Sequence, residues 1–369
     1  GEFVMKKIFI ILFIFICFSI PAHASQSAEQ YYGYMYDNTD SDVQRLLESF
    51  GLENGSYDEI LNLNFRNVVQ QFLSLCRNEM KQPLKSVLSA FILLTGITII
   101  QALTASDDSV GDIISTIGTV LLTFTLFVPI TACISDVVSV CVSTNDFTKV
   151  LIPVLAGIVT AAGKPTLAVC FQGFCFSSAQ ILTSVFRTSL PSICAVYTSL
   201  SVCGAMSSFV NTDKIAELIK KGYTMLLSFS AALFSALLSV KSVIAGCADT
   251  VTVKGVKFIV GNAVPVVGGA LADALNSVIS GISLLKSTVG VCAILILIFI
   301  NLPTLIELLM WNITLKILNS AAGLLGRDAD CKLISAFESL FTIMGAVVIF
   351  QSFLYIIAVS LLTIISGMG

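Results

Sequence analysis

After Lys85 the chain falls into successive apolar runs, most of them near the ~20 residues that a helix needs to cross hydrocarbon. Charge is correspondingly scarce. Only 12% of the 369 residues are Asp, Glu, Lys or Arg, against about 25% in soluble domains. Hydrophobic residues make up 56% and the mean hydropathy is +0.94. The fold class that follows is all-α: a polytopic helical membrane protein. The net charge of −3 points neither to nucleic acid nor to a basic membrane-surface patch.

The first residues read as processing signals rather than fold. Residues 1–4 precede Met5, and Gly-Glu-Phe resembles a cloning scar. Residues 5–24 read as a secretory signal peptide, with Lys6 and Lys7, an apolar run from Ile8 to Ile20, and Ala22-His23-Ala24 as the cleavage site. Cleavage puts Ser25 on the outer face of the membrane; the other reading is an uncleaved anchor helix, for which the run is short. His23 is the one histidine, so histidine-dependent zinc and Ser-His-Asp chemistry are excluded from the mature chain. The 11 cysteines are scattered through apolar stretches without a C-x-x-C, which argues against a disulfide framework or a metal centre.

Residues 25–85 form the one sizeable polar region, expected to be extracytoplasmic. A tyrosine-rich stretch is followed by a short helical pattern near Asp42 to Phe50 and a turn from Gly51 to Ser56. From Phe65 to Met80, Val68, Val69, Phe72, Leu75 and Cys76 recur at the spacing of one helix face. This amphipathic helix either lies in the membrane interface or packs on its own small domain. Such a short region buries a marginal core and needs partners.

Residues 86–369 are the multi-span domain, read as about seven to nine membrane-embedded segments. Val87–Leu103 and Ile113–Ile134 are clean spans, and Ser135 to Lys149 reads as a mixed loop. Ile152–Ala162, Thr166–Phe186 and Leu190–Val210 follow, punctuated by Pro153, Pro165, Arg187 and Pro191. Asn211 to Gly222 reads as a short amphipathic helix whose lysines place it in the cytoplasm. Tyr223–Gly246, Ser287–Leu302, Pro303–Leu325 and Leu333–Ser366 complete the set.

The stretch from Val253 to Gly290 departs from this pattern. Gly261, Pro265, Gly268 and Gly269 interrupt it, and Asn262, Asp273 and Asn276 sit within it. Gly and Pro loosen or remove intrahelical hydrogen bonds, and the freed backbone groups must find partners in protein or a water-filled cavity. A broken or re-entrant helix is therefore expected, the alternative being an ordinary kinked span. Pro153 and Gly157 lie in a similar stretch, since Ile152–Gly157 resembles Val264–Gly269. Pro153 and Pro265, like Pro191 and Pro303, are 112 residues apart. The spacing suggests an internal repeat over residues 151–247 and 263–366, or a coincidence in low-information apolar sequence.

Gly157 to Lys164 falls short of a P-loop, having five residues between its glycines and Pro165 where Ser or Thr belongs. No H-E-x-x-H, G-x-S-x-G or intramembrane aspartate pair is found, so the chain is read as no enzyme, with no catalytic residues, cofactor or metal. Asp273, Asn262, Asn276, Lys286, Glu307, Gln172 and Gln180 are candidates for an inward path or a subunit interface; Lys286 and Glu307 could equally snorkel from helix ends.

The run T-V-K-x-x-K-F-x-x-G-N-x-x-P-V-x-G, continued by D-A…V-I-S…L-L-K-x-T-V-G, resembles the stage III sporulation protein AE family of endospore-forming bacteria. The resemblance implies a membrane subunit of a sporulation complex in the mother-cell membrane around the forespore. Its partners would be the other membrane subunits and the ATPase of the same operon, a forespore membrane protein across the intermembrane space, and further copies of itself. The complex would form a secretion-like channel, needed for forespore development and late gene expression. The alternatives are a stand-alone secondary transporter with a site between the repeats, and a non-conducting membrane scaffold.

Overall fold

The computed structural model describes residues 26–52, 65–104, 108–206, 213–263 and 268–365; for 250–287 the description is of the backbone alone. Nine helices carry the described residues. They are α1 (Gln26–Asp37), α2 (Ser41–Ser49), α3 (Phe65–Glu79), α4 (Lys81–Leu103), α5 (Asp108–Ala161), α6 (Pro165–Met206), α7 (Asp213–Ala263), α8 (Gly268–Leu324) and α9 (Asp328–Ile365). Among the described residues six helical stretches, beginning at Arg66, Ile113, Pro165, Lys214, Thr288 and Asp328, are long and apolar enough to cross a membrane.

These helices are fewer and longer than the sequence suggests. Residues 135–149 are not a loop but the middle of α5. Pro153, Pro191 and Pro303 do not divide spans; they lie inside α5, α6 and α8, as does Pro129 inside α5. A proline removes one i→i−4 bond, and a long helix packed on several neighbours retains the rest. The polar segment at Asn211–Gly222 likewise does not stand alone, because from Asp213 it runs on as the first turns of α7. With 54 residues α5 is about 80 Å long, well beyond the ~30 Å hydrocarbon core.

Two apolar cores are stacked along the bundle. The first surrounds Trp311, which stacks on Phe341 with centroids 5.2 Å apart. It takes Val87–Leu94 from α4, Leu122–Cys141 from α5, Phe186–Tyr197 from α6, Leu308–Ala322 from α8 and Leu333–Leu354 from α9. The second surrounds Phe299 and takes Phe147–Val159 from α5, Leu167–Ala179 from α6, Val289–Ile300 from α8 and Tyr355–Leu362 from α9. Chain direction follows: α5 runs from the Trp311 core to the Phe299 core, α6 returns, α8 runs opposite to α5, and α9 opposite to α6. The α5–α6 and α8–α9 hairpins therefore point to opposite ends of the molecule. The small helices α1 and α2 complete the Phe299 core with Tyr32, Met35, Val43 and Leu47, and Phe50 packs edge-on against Phe299 at 4.9 Å.

Both hairpins turn the same way, at positions 163 residues apart. Gly163 (φ +81°) and Gly326 (φ +71°) adopt the left-handed conformation that ends a helix and favours glycine. In each turn the Gly N–H donates to a carbonyl three residues back, and the next residue's N–H to one five back (Lys164 N to Val159 O, 3.2 Å; Arg327 N to Ala322 O, 3.1 Å). That next residue is a buried cation in both cases. Lys164 lies within electrostatic reach of Asp249 on α7. The Asp249 carboxylate accepts from Thr166 N (3.1 Å) and Leu167 N (2.7 Å), capping α6 behind Pro165 at its first position. Arg327 pairs with Asp330, donates to Gln101 Oε1 on α4 (2.8 Å) and reaches Ser115 O on α5. Thr119 Oγ1 donates to the other oxygen of Asp330 at 2.7 Å. Gly118 makes room for this: a Cβ there would lie 2.9 Å from Arg327 Nη2 and 2.8 Å from Ile97 Cδ1.

Candidate functional site

Where α5, α6, α8 and α9 pass from one apolar core to the other, each carries polar side chains. These are Thr144, Asn145 and Thr148 on α5, Thr183 on α6, Asn301 and Thr304 on α8, and Gln351 and Ser352 on α9; all but the half-buried Thr183 are buried. Several are compatible with an apolar helix because they bond their own backbone one turn back. Thr148 Oγ1 donates to Thr144 O at 2.7 Å, Ser352 Oγ to Val348 O at 2.8 Å, and Asn301 Nδ2 to Leu297 O at 2.7 Å. Others link helices. Thr144 Oγ1 donates to Asn301 Oδ1 at 3.3 Å, and Gln351 Nε2 to Cys141 O at 2.7 Å. With its amide turned to suit its neighbours, Asn145 donates to Ala179 O and accepts from Lys149 Nζ.

The layer is incompletely satisfied. Gln351 Oε1 is shielded from solvent and has no hydrogen-bond partner among the described residues, and the hydroxyls of Tyr355 and Thr183 are shielded beside one another. Tyr355, one turn beyond Gln351, lies near Thr183 and the thiols of Cys141 and Cys175. Each unmet polar group costs about 1–3 kcal/mol, so an apolar set would make a more stable bundle. The groups are neutral hydrogen-bonding oxygens, a set suited to holding water or an uncharged polar group.

A second polar site lies at the edge of the Trp311 core. Cys133 Sγ donates to Glu307 Oε1 at 3.2 Å, and Asp136 and Glu79 stand within electrostatic reach of Glu307. Glu307 is half-buried among other helices, not at a helix end as the snorkelling alternative requires.

The sequence candidates fall elsewhere. Pro153 and Gly157 sit on the exposed face of α5, and a Cβ on Gly157 would meet nothing within 4 Å. Gln172 and Gln180 are exposed on α6. Gly261 and Asn262 lie in the last turn of α7, Gly268 and Gly269 open α8, and Asp273 and Asn276 follow in it; Pro265 lies outside the described residues. The central layer escapes a sequence reading because Ser143–Asp146 looks like loop, while Asn301 and Gln351 are single polar residues in apolar runs. Their one visible signal is that isolation, since a polar side chain inside a long apolar helix needs a partner.

The family model for stage III sporulation protein AE matches residues 48–367, nearly all of the chain after the polar N-terminal stretch. The chain belongs to the stage III sporulation protein AE family. It is similar to the Stage III sporulation protein AE of Bacillus subtilis (strain 168), 30% identical over 159 residues, which is 42% of this chain and 39% of that relative. The match thus spans about two fifths of the relative's length. No solved structure matches. All residues of the central layer lie within the part matched by the family model.

The layer makes a prediction about stability. Tyr355→Phe removes a buried hydroxyl whose neighbour is the Thr183 hydroxyl, so the unfolding midpoint in detergent is expected to change little, by about 1 kcal/mol of stability at most. Gln351→Leu removes a made bond as well as an unmet oxygen and is expected to be near neutral. Thermal unfolding of the two variants beside the parent protein checks both.

Proposed function

We propose that this protein is a core membrane subunit of a sporulation-specific transport or channel complex. The complex links mother cell and forespore, lies in the mother-cell membrane around the forespore, and is needed for forespore development and late gene expression. The observation that carries the reading is the buried polar layer running across four long helices in a member of a sporulation family. A body that only anchors other proteins gains nothing from burying such groups, whereas a conducting or gated subunit needs polar groups at depth. In this reading the protein works without catalytic residues or a cofactor. Its energy comes from the ATPase of the same operon, and its neighbours are the other membrane subunits, further copies of itself and a forespore membrane partner. The polar N-terminal region, residues 25–85, faces the intermembrane side. The stretch around Gly261, Pro265, Gly268, Gly269 and Asp273 forms close helix contacts with a partner or lines the path.

The test uses four variants, Gly268→Leu, Gly269→Leu, Asp273→Leu and Tyr355→Phe, in sporulating cells. Forespore late gene expression is expected to fall at least several-fold while the protein stays at its normal level in the membrane. Normal expression with all four would remove the basis of the proposal.

The opposed hairpins favour one further reading, a self-sufficient secondary transporter whose site lies between inversely oriented units. Purified protein that moves a solute across liposomes as a monomer would favour it. A subunit inactive alone and retained by its operon partners would favour the complex.

A further inference from the structure

We propose that the cleft between α6, α7, α8 and α9 at the Arg327 end binds the phosphate of an anionic phospholipid. The cleft has a volume of about 500 Å³ and opens beside the start of α7 and of α9. Two lysines line it. Lys220 on α7 donates to Ser339 Oγ on α9 at 3.0 Å. Lys332 on α9 is exposed and has no partner among the described residues. Hydroxyl and amide donors complete the lining: Ser335 and Asn319, joined at 2.9 Å, and Ser339.

The charge balance favours an anion. Glu217 also lines the cleft, where its carboxylate pairs with Lys221 at 2.7 Å and stands within electrostatic reach of Lys220. Glu338 accepts from Asn319 and faces Lys316 as well as Lys220. Asp328 and Asp330 stand near Cys331 in the lining, Asp330 being paired with Arg327, so five cations meet four carboxylates, and Lys332 has no carboxylate partner among the described residues. Phosphate oxygens accept several hydrogen bonds at once and tolerate a partly compensated cation pair, as lysine-lined phosphate sites do.

The surroundings select a lipid as the source. Ile215 and Leu218 on α7 and Ile317 on α8 flank the cleft and are exposed by 49%, 70% and 63%. They are exposed apolar side chains on stretches long and apolar enough to cross a membrane, so acyl chains lying along them would bring a headgroup to the lysines. Basic pockets between transmembrane helices bind anionic headgroups for this reason, at about 1 kcal/mol per lysine.

The test uses the full chain in neutral detergent, followed by native mass spectrometry and thermal unfolding. The added probe is phosphatidylglycerol, phosphatidylcholine or inorganic phosphate. The expected result is retention of phosphatidylglycerol over phosphatidylcholine, weakened about fivefold by Lys220→Gln or Lys332→Gln and about 25-fold by the pair. Lys241→Gln, whose ammonium stands over the Phe174 ring far from the cleft, should leave retention unchanged and so serves as the control. Equal retention of the two lipids overturns the proposal, as does phosphatidylglycerol binding that survives the double substitution. Inorganic phosphate binding as tightly as the lipid overturns the lipid source. A double variant that unfolds on its own is replaced by Lys332→Gln, because Lys332 is exposed and makes no contact the fold requires.

Discussion

Arg327→Leu is expected to cost about 3–5 kcal/mol of stability, several times what an exposed ion pair is worth. The guanidinium is 6% exposed and Asp330 is fully buried, so removing the cation leaves a carboxylate without solvent or counter-charge. Thr119 still donates to one carboxylate oxygen, but a single hydroxyl does not replace a charge-assisted pair. Gln101 Oε1 on α4 also loses its donor, which loosens the contact between α4 and the α8–α9 turn. The measurement is thermal unfolding in detergent, with the protein's level in membranes as a second readout. Arg327→Leu/Asp330→Leu is expected to regain most of the loss, because it removes both charges together. Arg327→Lys keeps the charge but not the fork that reaches Asp330, Gln101 and Ser115 at once, and should fall between. If the double variant is no more stable than Arg327→Leu, the cost comes from packing and the buried pair is not its source.

How far the sequence reaches depends on which interaction is being read. Apolar length is local, so the existence of α4, the apolar span of α5 from Ile113 and the amphipathic α3 are all visible in it. Helix continuity across Pro191 and Pro303 is not. A proline's missing bond is local, but what keeps the helix going is contact with neighbours far along the chain. The stretch Ser135–Lys149 misleads for a related reason. Its polar residues read as solvated, yet Thr144, Asn145 and Thr148 are buried and held by partners such as Asn301 on α8. The turn locks are partly legible. Gly163-Lys164-Pro165 has the signs of a helix stop and restart, glycine past the end and proline at the next first position, but a motif search meets it only as a defective phosphate loop. Nothing near Lys164 in the sequence names Asp249, which lies on a different helix. The interruption expected at Gly261 to Asn276 falls on residues 264–267, outside the described residues, while Gly261 and Asn262 lie in α7 and Gly268, Gly269, Asp273 and Asn276 in α8. Its role in a path or an interface belongs to the proposed function.

Asp249→Ala is expected to cost roughly 3 kcal/mol, from two charge-assisted hydrogen bonds at about 1.5 kcal/mol each. The carboxylate is 3% exposed and sits at the positive end of the α6 dipole, where it meets the free N–H groups of Thr166 and Leu167. Pro165 has no N–H to offer, so these two donors are the ones the cap must satisfy. Without Asp249 the Leu167 N–H is left buried and unpaired, the more exposed Thr166 N–H loses its acceptor, and Lys164 loses a carboxylate that offsets its burial. Asp249→Asn keeps an oxygen acceptor but no charge, and about half the loss is expected. Two measurements separate a cap from general packing. Amide exchange at Thr166 and Leu167 should accelerate more than at Phe171, deeper in the same helix. Asp146→Ala supplies the comparison: that aspartate is exposed and its pair with Lys149 is worth ~0.5 kcal/mol or less. If Asp249→Ala proves no more costly than Asp146→Ala, the opposed turns are not held by their buried charges, and the hairpins are held by apolar packing alone.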